Sequence, residues 1–283
     1  MAERKGKVLL LVDLSYQTYR AASAFRNLTS IEGEFTGGLF GFMATVSKIV
    51  RECGADRMVV CEDVKPYKRS VTYPEYKLIR KNNADEELKA LYLTSITQVK
   101  EMLGVIGVPI MAHAGFESDD CIAHVVRLHR HRWRAIYAAS NDSDLYQLFG
   151  CPWFKVWRKD ADNVMDYWKL KEETGLDHNE FMLASALMGT HNDIAGIRGV
   201  GEKTAYKAVR EPGLLRKYME QHQELIERNL ALIKLPHADF PQEAPLPQPT
   251  RPFDHRALYR WCVKYDINVT ASMVNAFEQV NPL

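Results

Sequence analysis

Short, unbroken apolar runs recur over roughly the first 175 residues, and they constrain the fold more than any other feature. Val8-Leu9-Leu10-Leu11-Val12 is the first; Met58-Val59-Val60-Cys61, Val105-Ile106-Gly107-Val108 and Ala135-Ile136-Tyr137-Ala138-Ala139 follow. Runs without polar alternation suit strands covered on both faces, as in a parallel sheet between helices. Longer amphipathic stretches separate them. Thr36 to Val50 sets Phe42, Val46 and Ile49 at helical spacing, and Asp85 to Leu103 does so with Leu88, Leu91, Tyr92, Val99 and Leu103. Strand and helix in alternation predict an α/β fold with a mostly parallel central sheet flanked by helices.

The last third differs. Asn179 to Met188 reads as a helix, Gly189 to Gly201 is punctuated by glycine, and a second helix starts at Glu202. Six of the 12 prolines fall between Pro236 and Pro252, which predicts an ordered loop, and a final helix is expected from Asp254 to about Tyr265. With 283 residues, 46% of them hydrophobic, the chain can bury one large core or two modest ones. No run approaches the ~20 apolar residues of a membrane span, and the N-terminal residues do not resemble a signal peptide. Five cysteines without metal or redox spacing fit a reducing cytoplasm. A net charge of +1 excludes binding nucleic acid by bulk positive field, so any such contact must come from local patches.

The acids fall where the strands end. Asp13 follows the first run, Glu62 and Asp63 the second, Asp142 and Asp144 the fourth, while Glu117, Asp119 and Asp120 follow the region after the third. In an open parallel sheet those ends share one edge, where ligands bind. Two carboxylates 4 Å apart repel by about 4 kcal/mol at an effective dielectric near 20, a large share of a domain's ~5–15 kcal/mol stability. Helix capping explains any one of these acids, but four strand ends ask for more, the more so if Ser15 caps the first helix. Hard divalent cations neutralise such oxygen clusters best, and the chemistry in keeping is metal-assisted phosphodiester hydrolysis. No HExxH pair or hydrolase triad competes. If the acids crowd together, Asp119→Asn and Asp142→Asn should each raise the melting temperature without metal.

Several motifs resemble the flap endonuclease and 5′-3′ exonuclease family. They are Leu11-Val12-Asp13 with Tyr19-Arg20, then Thr36 to Phe42, Arg69 with Tyr76-Lys77 and Arg80, and Glu117-Ser118-Asp119-Asp120. Asn141 to Leu148, Gly196 to Ala205, and Arg228-Asn229-Leu230 with Leu235-Pro236 continue the likeness over nearly the whole chain. The resemblance implies a PIN-like, structure-selective nuclease acting on DNA with 5′ flaps, 5′ overhangs or branched junctions in replication and repair. It would be a cytoplasmic, nucleoid-associated monomer using Mg²⁺ or Mn²⁺. By this likeness residues 1–178 form the nuclease core, with a helical arch about 81–104 for a single-stranded 5′ end. Residues 179–283 carry a helix-three-turn-helix DNA clamp and C-terminal helices.

The same likeness assigns roles. Asp13, Glu62, Glu117, Asp119 and Asp120 form the first metal side, with Asp142 near it; Asp144 and Asp193 hold a second ion. Glu62 is preferred over Asp63. Lys77 and Arg80 stabilise phosphate charge in the transition state and Arg20 supports them. Arg69 and Tyr76 handle substrate, and K⁺ binds carbonyls of the clamp turn. Gly199 and Gly201, beside Lys203 and Thr204, let backbone N–H groups approach a DNA phosphate. The family's Gly-Asp-x-x-Asp-Asn-Ile becomes Gly189-Thr190-His191-Asn192-Asp193-Ile194 here, one acid poorer. The second ion should then bind weakly, with His191 or Asn192 as candidate helpers, and Mn²⁺ should outperform Mg²⁺. The basic run Arg127 to Arg134 is expected to be a solvated helix end away from the catalytic edge. Alternatives are a non-catalytic DNA-junction binder, suggested by Thr190, and a PIN-like metal-dependent ribonuclease, which would not need the clamp.

Overall fold

The computed structural model describes residues 6–78, 85–158 and 164–281. Six strands form the main sheet: β1 Val8–Asp13, β2 Arg57–Glu62, β3 Ile110–Ala112, β4 Ala135–Ala139, β5 Phe154–Trp157 and β6 Val164–Met165. Their order is β3-β2-β1-β4-β5-β6. The first five are parallel and β6 is antiparallel. The chain therefore builds outward from β1 to β3, returns, and builds the other way from β4, so the switch point lies between β1 and β4.

Alternation along β1 divides the core. Leu9 and Leu11 join Val59, Ile136 and Ala138 on one face, which α5 (Ser118–His129) covers with Ile122 and Val126. Val8, Leu10 and Val12 face the other way, onto α2 (Gly37–Cys53) and α4 (Glu86–Ile106). All five are at most 1% exposed, and burying each such side chain contributes ~1.5–3 kcal/mol. Helix α1 (Leu14–Ala24) packs beside α2, and α3 (Lys68–Thr72) follows β2. Gly38 lets α2 lie against α4, because a Cβ there would overlap the Ser95 side chain.

One expected strand is absent. Val105 and Ile106 end α4, which Gly107 terminates in the left-handed region at φ +75°. The strand comes later, as β3. The error has a physical source: Val99, Met102, Leu103 and Ile106 are one buried helical stripe, and a four-residue apolar run looks the same in either state.

After α6 (Tyr167–Thr174), α7 (His178–Met188) leads into a hairpin of β7 (Gly189–Thr190) and β8 (Ile194–Ala195). A turn then enters α8 (Glu202–Arg210), followed by α9 (Pro212–Gln221) and α10 (Gln223–Ile233). The proline-rich stretch has neither helix nor strand, yet it is anchored: Phe240 is 1% exposed and the Ala244 carbonyl meets His124 Nε2 at 2.8 Å. Finally α11 (His255–Lys264) and α12 (Ala271–Gln279) return to the α2 side, where Leu258, Trp261 and Phe277 join the second half of the core.

Candidate metal centre

The carboxyl ends of β1, β2 and β4 bring three sets of polar residues together. Asp13 closes β1; its Oδ1 accepts from the Tyr16 amide at 3.0 Å and caps α1. Its Oδ2 accepts from the Ser140 hydroxyl at 3.4 Å, and Ser140 Oγ accepts from the Asp142 amide at 3.3 Å. Ser140 thus links the β1 end to the β4 end. On the other side Asp63, just past β2, accepts from the Ser118 amide at 2.8 Å and so holds the start of α5, which carries Glu117, Asp119 and Asp120. Neither Ser140 nor Ser118 was singled out by sequence, since a lone serine beside an acid carries no periodic or spacing signal.

Burial at this edge changes the acids' chemistry. Burial, then the Asp63 and Asp142 charges, push the Asp13 carboxyl up to about 7. Asp119 is raised well above the usual carboxylate range by burial and by Asp142 and Asp13, and its Oδ1 is buried without a hydrogen-bond partner. Burial and Asp142 likewise raise Asp144 to about 7. Asp142 goes the other way. Burial alone would raise it, but the His191 ring 3.5 Å away and the Asp144 amide at 2.8 Å leave it below its ordinary value. Lys77 stands among these acids with its ammonium on Glu117. Burial disfavours its charge, yet Glu117, with Asp119 and Asp63, holds its pKa above the ordinary value.

A set of carboxylates of which three are raised by burial and by neighbouring acids, one with an orphaned oxygen, fits a hard divalent cation. Among the described residues, no three His, Cys, Asp or Glu side chains are drawn in tightly enough to ligate a single ion.

Several expected roles change. Glu62 pairs with Lys100 Nζ at 2.6 Å, whereas Asp63, one residue on, is the acid whose charge acts on Asp13. The β2 end simply turns the next side chain toward β1. Asp120 uses both oxygens on Arg69, at 2.6 and 2.8 Å, and also accepts from the Glu117 and His237 amides, so it has no free face for a metal. Arg69 is 3% exposed and holds Glu117 and the Leu232 and Lys234 carbonyls; it is a buried tether and cannot touch DNA. Tyr76 is 7% exposed and donates to Glu117 Oε2 at 2.8 Å, orienting that acid. Arg20 lies over the Tyr16 ring, 6.0 Å from its centroid, and has no hydrogen bond to any of the acids among the described residues. Arg80 and the part of the expected arch over 81–84 lie outside the described residues. The rest of the arch is α4, packed on α1 and α2.

The shortened segment 189–194 forms the β7–β8 hairpin. His191 reaches Asp142, Asn192 Nδ2 donates to Asp144 Oδ2 at 3.1 Å, and the Asn192 carbonyl accepts from the Lys77 amide at 3.0 Å. Asp193, half-buried at φ +62°, shares that turn. Beyond it Gly199 has φ +83° and Gly201 caps α8; a Cβ on either would meet nothing. Lys203 and Thr204 are in the first turn of α8, with Lys203 exposed. The basic run ends α5 at the far end from its acids, ~18 Å along the helix, and Trp133 is buried at 7% exposure.

A cluster of acids with a lysine among them thus stands at the switch point of a parallel sheet. Residues 8–175, more than half of the sequence, match the family model described as 5′-3′ exonuclease, N-terminal resolvase-like domain, and the chain belongs to that family. The thermostable DNA polymerase I of Thermus thermophilus is 30% identical over 229 residues, 81% of this chain and 26% of that protein. DNA polymerase I of Mycobacterium tuberculosis is 29% identical over 225 residues, 77% of this chain and 24% of the relative. The chain thus spans about a quarter of the length of these relatives. Among solved structures, the bacteriophage T5 D15 flap endonuclease, in a pseudo-enzyme-product complex with DNA and metal ions, has a TM-score of 0.69 at 20% identity. The match covers 96% of this chain and 97% of that one. Flap endonuclease-1 from Methanococcus jannaschii gives 0.63 at 16% identity, covering 98% and 92%. No helix among the described residues is long and apolar enough to cross a membrane.

Proposed function

We propose that this chain hydrolyses phosphodiester bonds of DNA at 5′ flaps and 5′ ends, in replication and repair, using Mg²⁺ or Mn²⁺. The observation that carries the reading is the buried, unpartnered Asp119 Oδ1 inside a group of carboxylates that raise one another. Asp13, Asp63 and Asp119 would hold one ion, beside Glu117, whose oxygens are engaged by Lys77, Arg69 and Tyr76. Asp142, Asp144 and Asp193, with His191 and Asn192, would hold a weaker second. When bound, such ions neutralise phosphate charge and lower the pKa of a water.

The chain's own residues do the rest. The strand ends fix the acids on rigid elements, so little reorganisation is needed when substrate arrives. Lys77, charged and already directed at Glu117, would transfer its attraction to the scissile phosphate as negative charge develops there. The turn at 196–201, read as the helix-three-turn-helix clamp, would receive a backbone phosphate on the N–H groups opening α8 and hold duplex DNA without reading bases. K⁺ would occupy carbonyls of that turn. In this reading residues 1–178 carry the chemistry and the region from 179 holds DNA, with α11 and α12 bracing the core.

A labelled 5′-flap DNA, a matched RNA and a blunt duplex, each with and without Mn²⁺, test the proposal. Flap cleavage that needs Mn²⁺ and vanishes in Asp119→Asn supports it. Tight flap binding without cutting, or faster cutting of RNA, would sink it.

A further inference from the structure

Four consecutive residues leaving α10 are held by two side chains from the acid-bearing elements. The Leu232 and Lys234 carbonyls accept from Arg69 Nε and Nη2 at 2.8 and 3.2 Å. The Ile233 carbonyl accepts from Gln147 Nε2 at 3.0 Å, and the Leu235 amide donates to Gln147 Oε1 at 2.8 Å. Gln147 Nε2 also donates to the Asp144 carbonyl at 2.8 Å. At its other end α10 is fixed to the hairpin: Asn229 Nδ2 donates to the Ala186 and Ala195 carbonyls at 2.8 and 2.9 Å. The Gly196–Gly201 turn follows Ala195 directly.

We infer that Gln147 is a positioning residue for the second-ion carboxylates. It registers the Asp142–Asp144 turn against the helix that carries the DNA-holding loop. A primary amide is the one uncharged side chain that gives two donors and an acceptor from a single planar group, and here both donors face carbonyls while the oxygen takes an N–H. Without it the Asp144 carbonyl and two groups of the 233–235 segment lose their shared partner, and the turn bearing Asp142 and Asp144 loses its direct tie to α10, keeping only the contacts from Ser140, His191 and Asn192. Such outer contacts typically set metal affinity or activity by about 10–100-fold. Arg69 plays the matching part for Glu117, but its removal would bare buried acids, so Gln147 is the residue that can be tested.

The inference rests on the proposed metal-dependent nuclease activity. Gln147→Met keeps length and removes every polar group; Gln147→Glu keeps shape and removes both donors. The measurements are Mn²⁺ binding by calorimetry without DNA, and kcat, KM and half-saturating Mn²⁺ for flap cleavage. A core variant, Ile49→Val, serves as a control for general destabilisation. Mn²⁺ affinity and kcat should fall about 10-fold or more in both Gln147 variants, with KM within about twofold and the control unchanged. Wild-type Mn²⁺ binding and kcat in either folded variant, or losses no larger than those of Ile49→Val, would overturn it. If the wild type itself neither binds Mn²⁺ nor cuts, the functional reading fails instead.

Discussion

Arg69 grips Asp120 through both terminal nitrogens, at 2.6 and 2.8 Å, in a site where the two side chains are 3% and 0% exposed. The next acid back, Asp119, is half-buried and has a buried oxygen with no partner. Adjacent residues of one motif therefore respond oppositely to neutralisation. Asp120→Asn strips a buried guanidinium of its counter-charge and should cost ~3–5 kcal/mol. Asp119→Asn removes an uncompensated charge and should raise the metal-free melting temperature. The gain expected of Asp142→Asn from sequence is withdrawn, because His191 and the Asp144 amide already stabilise that carboxylate; this variant should lose stability. Thermal unfolding of the three variants in chelator measures all of these signs.

The acids also set a pH dependence. Asp13 and Asp144 rise from 3.8 to about 7, and Asp119 is also raised well above the usual carboxylate range. A group that binds its proton more tightly when folded contributes stability below its unfolded pKa and loses it as pH climbs through the folded one. In chelator the melting temperature should therefore fall between pH 5 and pH 8, by ~5–10 °C if two to three kcal/mol are involved. With saturating Mn²⁺ the slope should flatten or reverse, since ion binding requires the deprotonated acids. A metal-free curve that rises over this range would contradict the crowding.

On the proposed function, Lys77 would contribute differently to folding and to catalysis. It sits at φ +57° with its amide on the Asn192 carbonyl, so its backbone is fixed by the hairpin and its ammonium by Glu117. Lys77→Met should leave substrate KM nearly unchanged and lower kcat by ~10²–10³, the usual loss on removing one positioned charge from a transition state. Single-turnover cleavage at saturating metal isolates that step.

The sheet and the acidic edge were legible in the sequence because their signals are local. An unbroken run such as Val8 to Val12 can only be a buried strand or helix segment, and its length chose the strand. Side-chain partners were not legible. Glu62 and Asp63 are adjacent acids, and only the strand's final orientation and Lys100, 38 residues away, decide which one faces Asp13. Capping was underestimated: Asp13 and Asp142 each cap the element they precede, yet the same residues crowd the acidic edge. Capping and clustering are thus not alternatives, since a carboxylate has two oxygens and one suffices for a cap. Arg69 and Tyr76 were assigned to substrate by the likeness of their motif, which carries no information on burial; both side chains are buried against Glu117.

Gly201 separates folding from DNA contact. Its φ of −96° is open to any residue and an added Cβ meets nothing, so Gly201→Val should shift the melting temperature by less than about 2 °C. A branched side chain at the mouth of α8 would still hold a phosphate away from the N–H groups there. Flap-DNA affinity, measured by anisotropy in Ca²⁺, should weaken about 10-fold, which is ~1.4 kcal/mol. Unchanged affinity would remove the turn from the DNA interface.

On the proposed function, the hairpin would set the choice of metal. Where a further acid would add charge, the chain offers Thr190, and the side chains nearest the Asp142–Asp144 pair are His191 and Asn192. Imidazole nitrogen is a better ligand for Mn²⁺ than for Mg²⁺, which favours oxygen and holds its waters tightly. At matched low concentrations, Mn²⁺ should support faster flap cleavage than Mg²⁺, and His191→Ala should shrink that preference while sparing much of the Mg²⁺ rate. Restoring an acid with Thr190→Asp should instead lift the Mg²⁺ rate and lower the half-saturating concentration of both ions. Titrating rate against each ion for the wild type and the two variants measures this, and equal Mn²⁺ and Mg²⁺ curves for the wild type would show that the hairpin nitrogen plays no part.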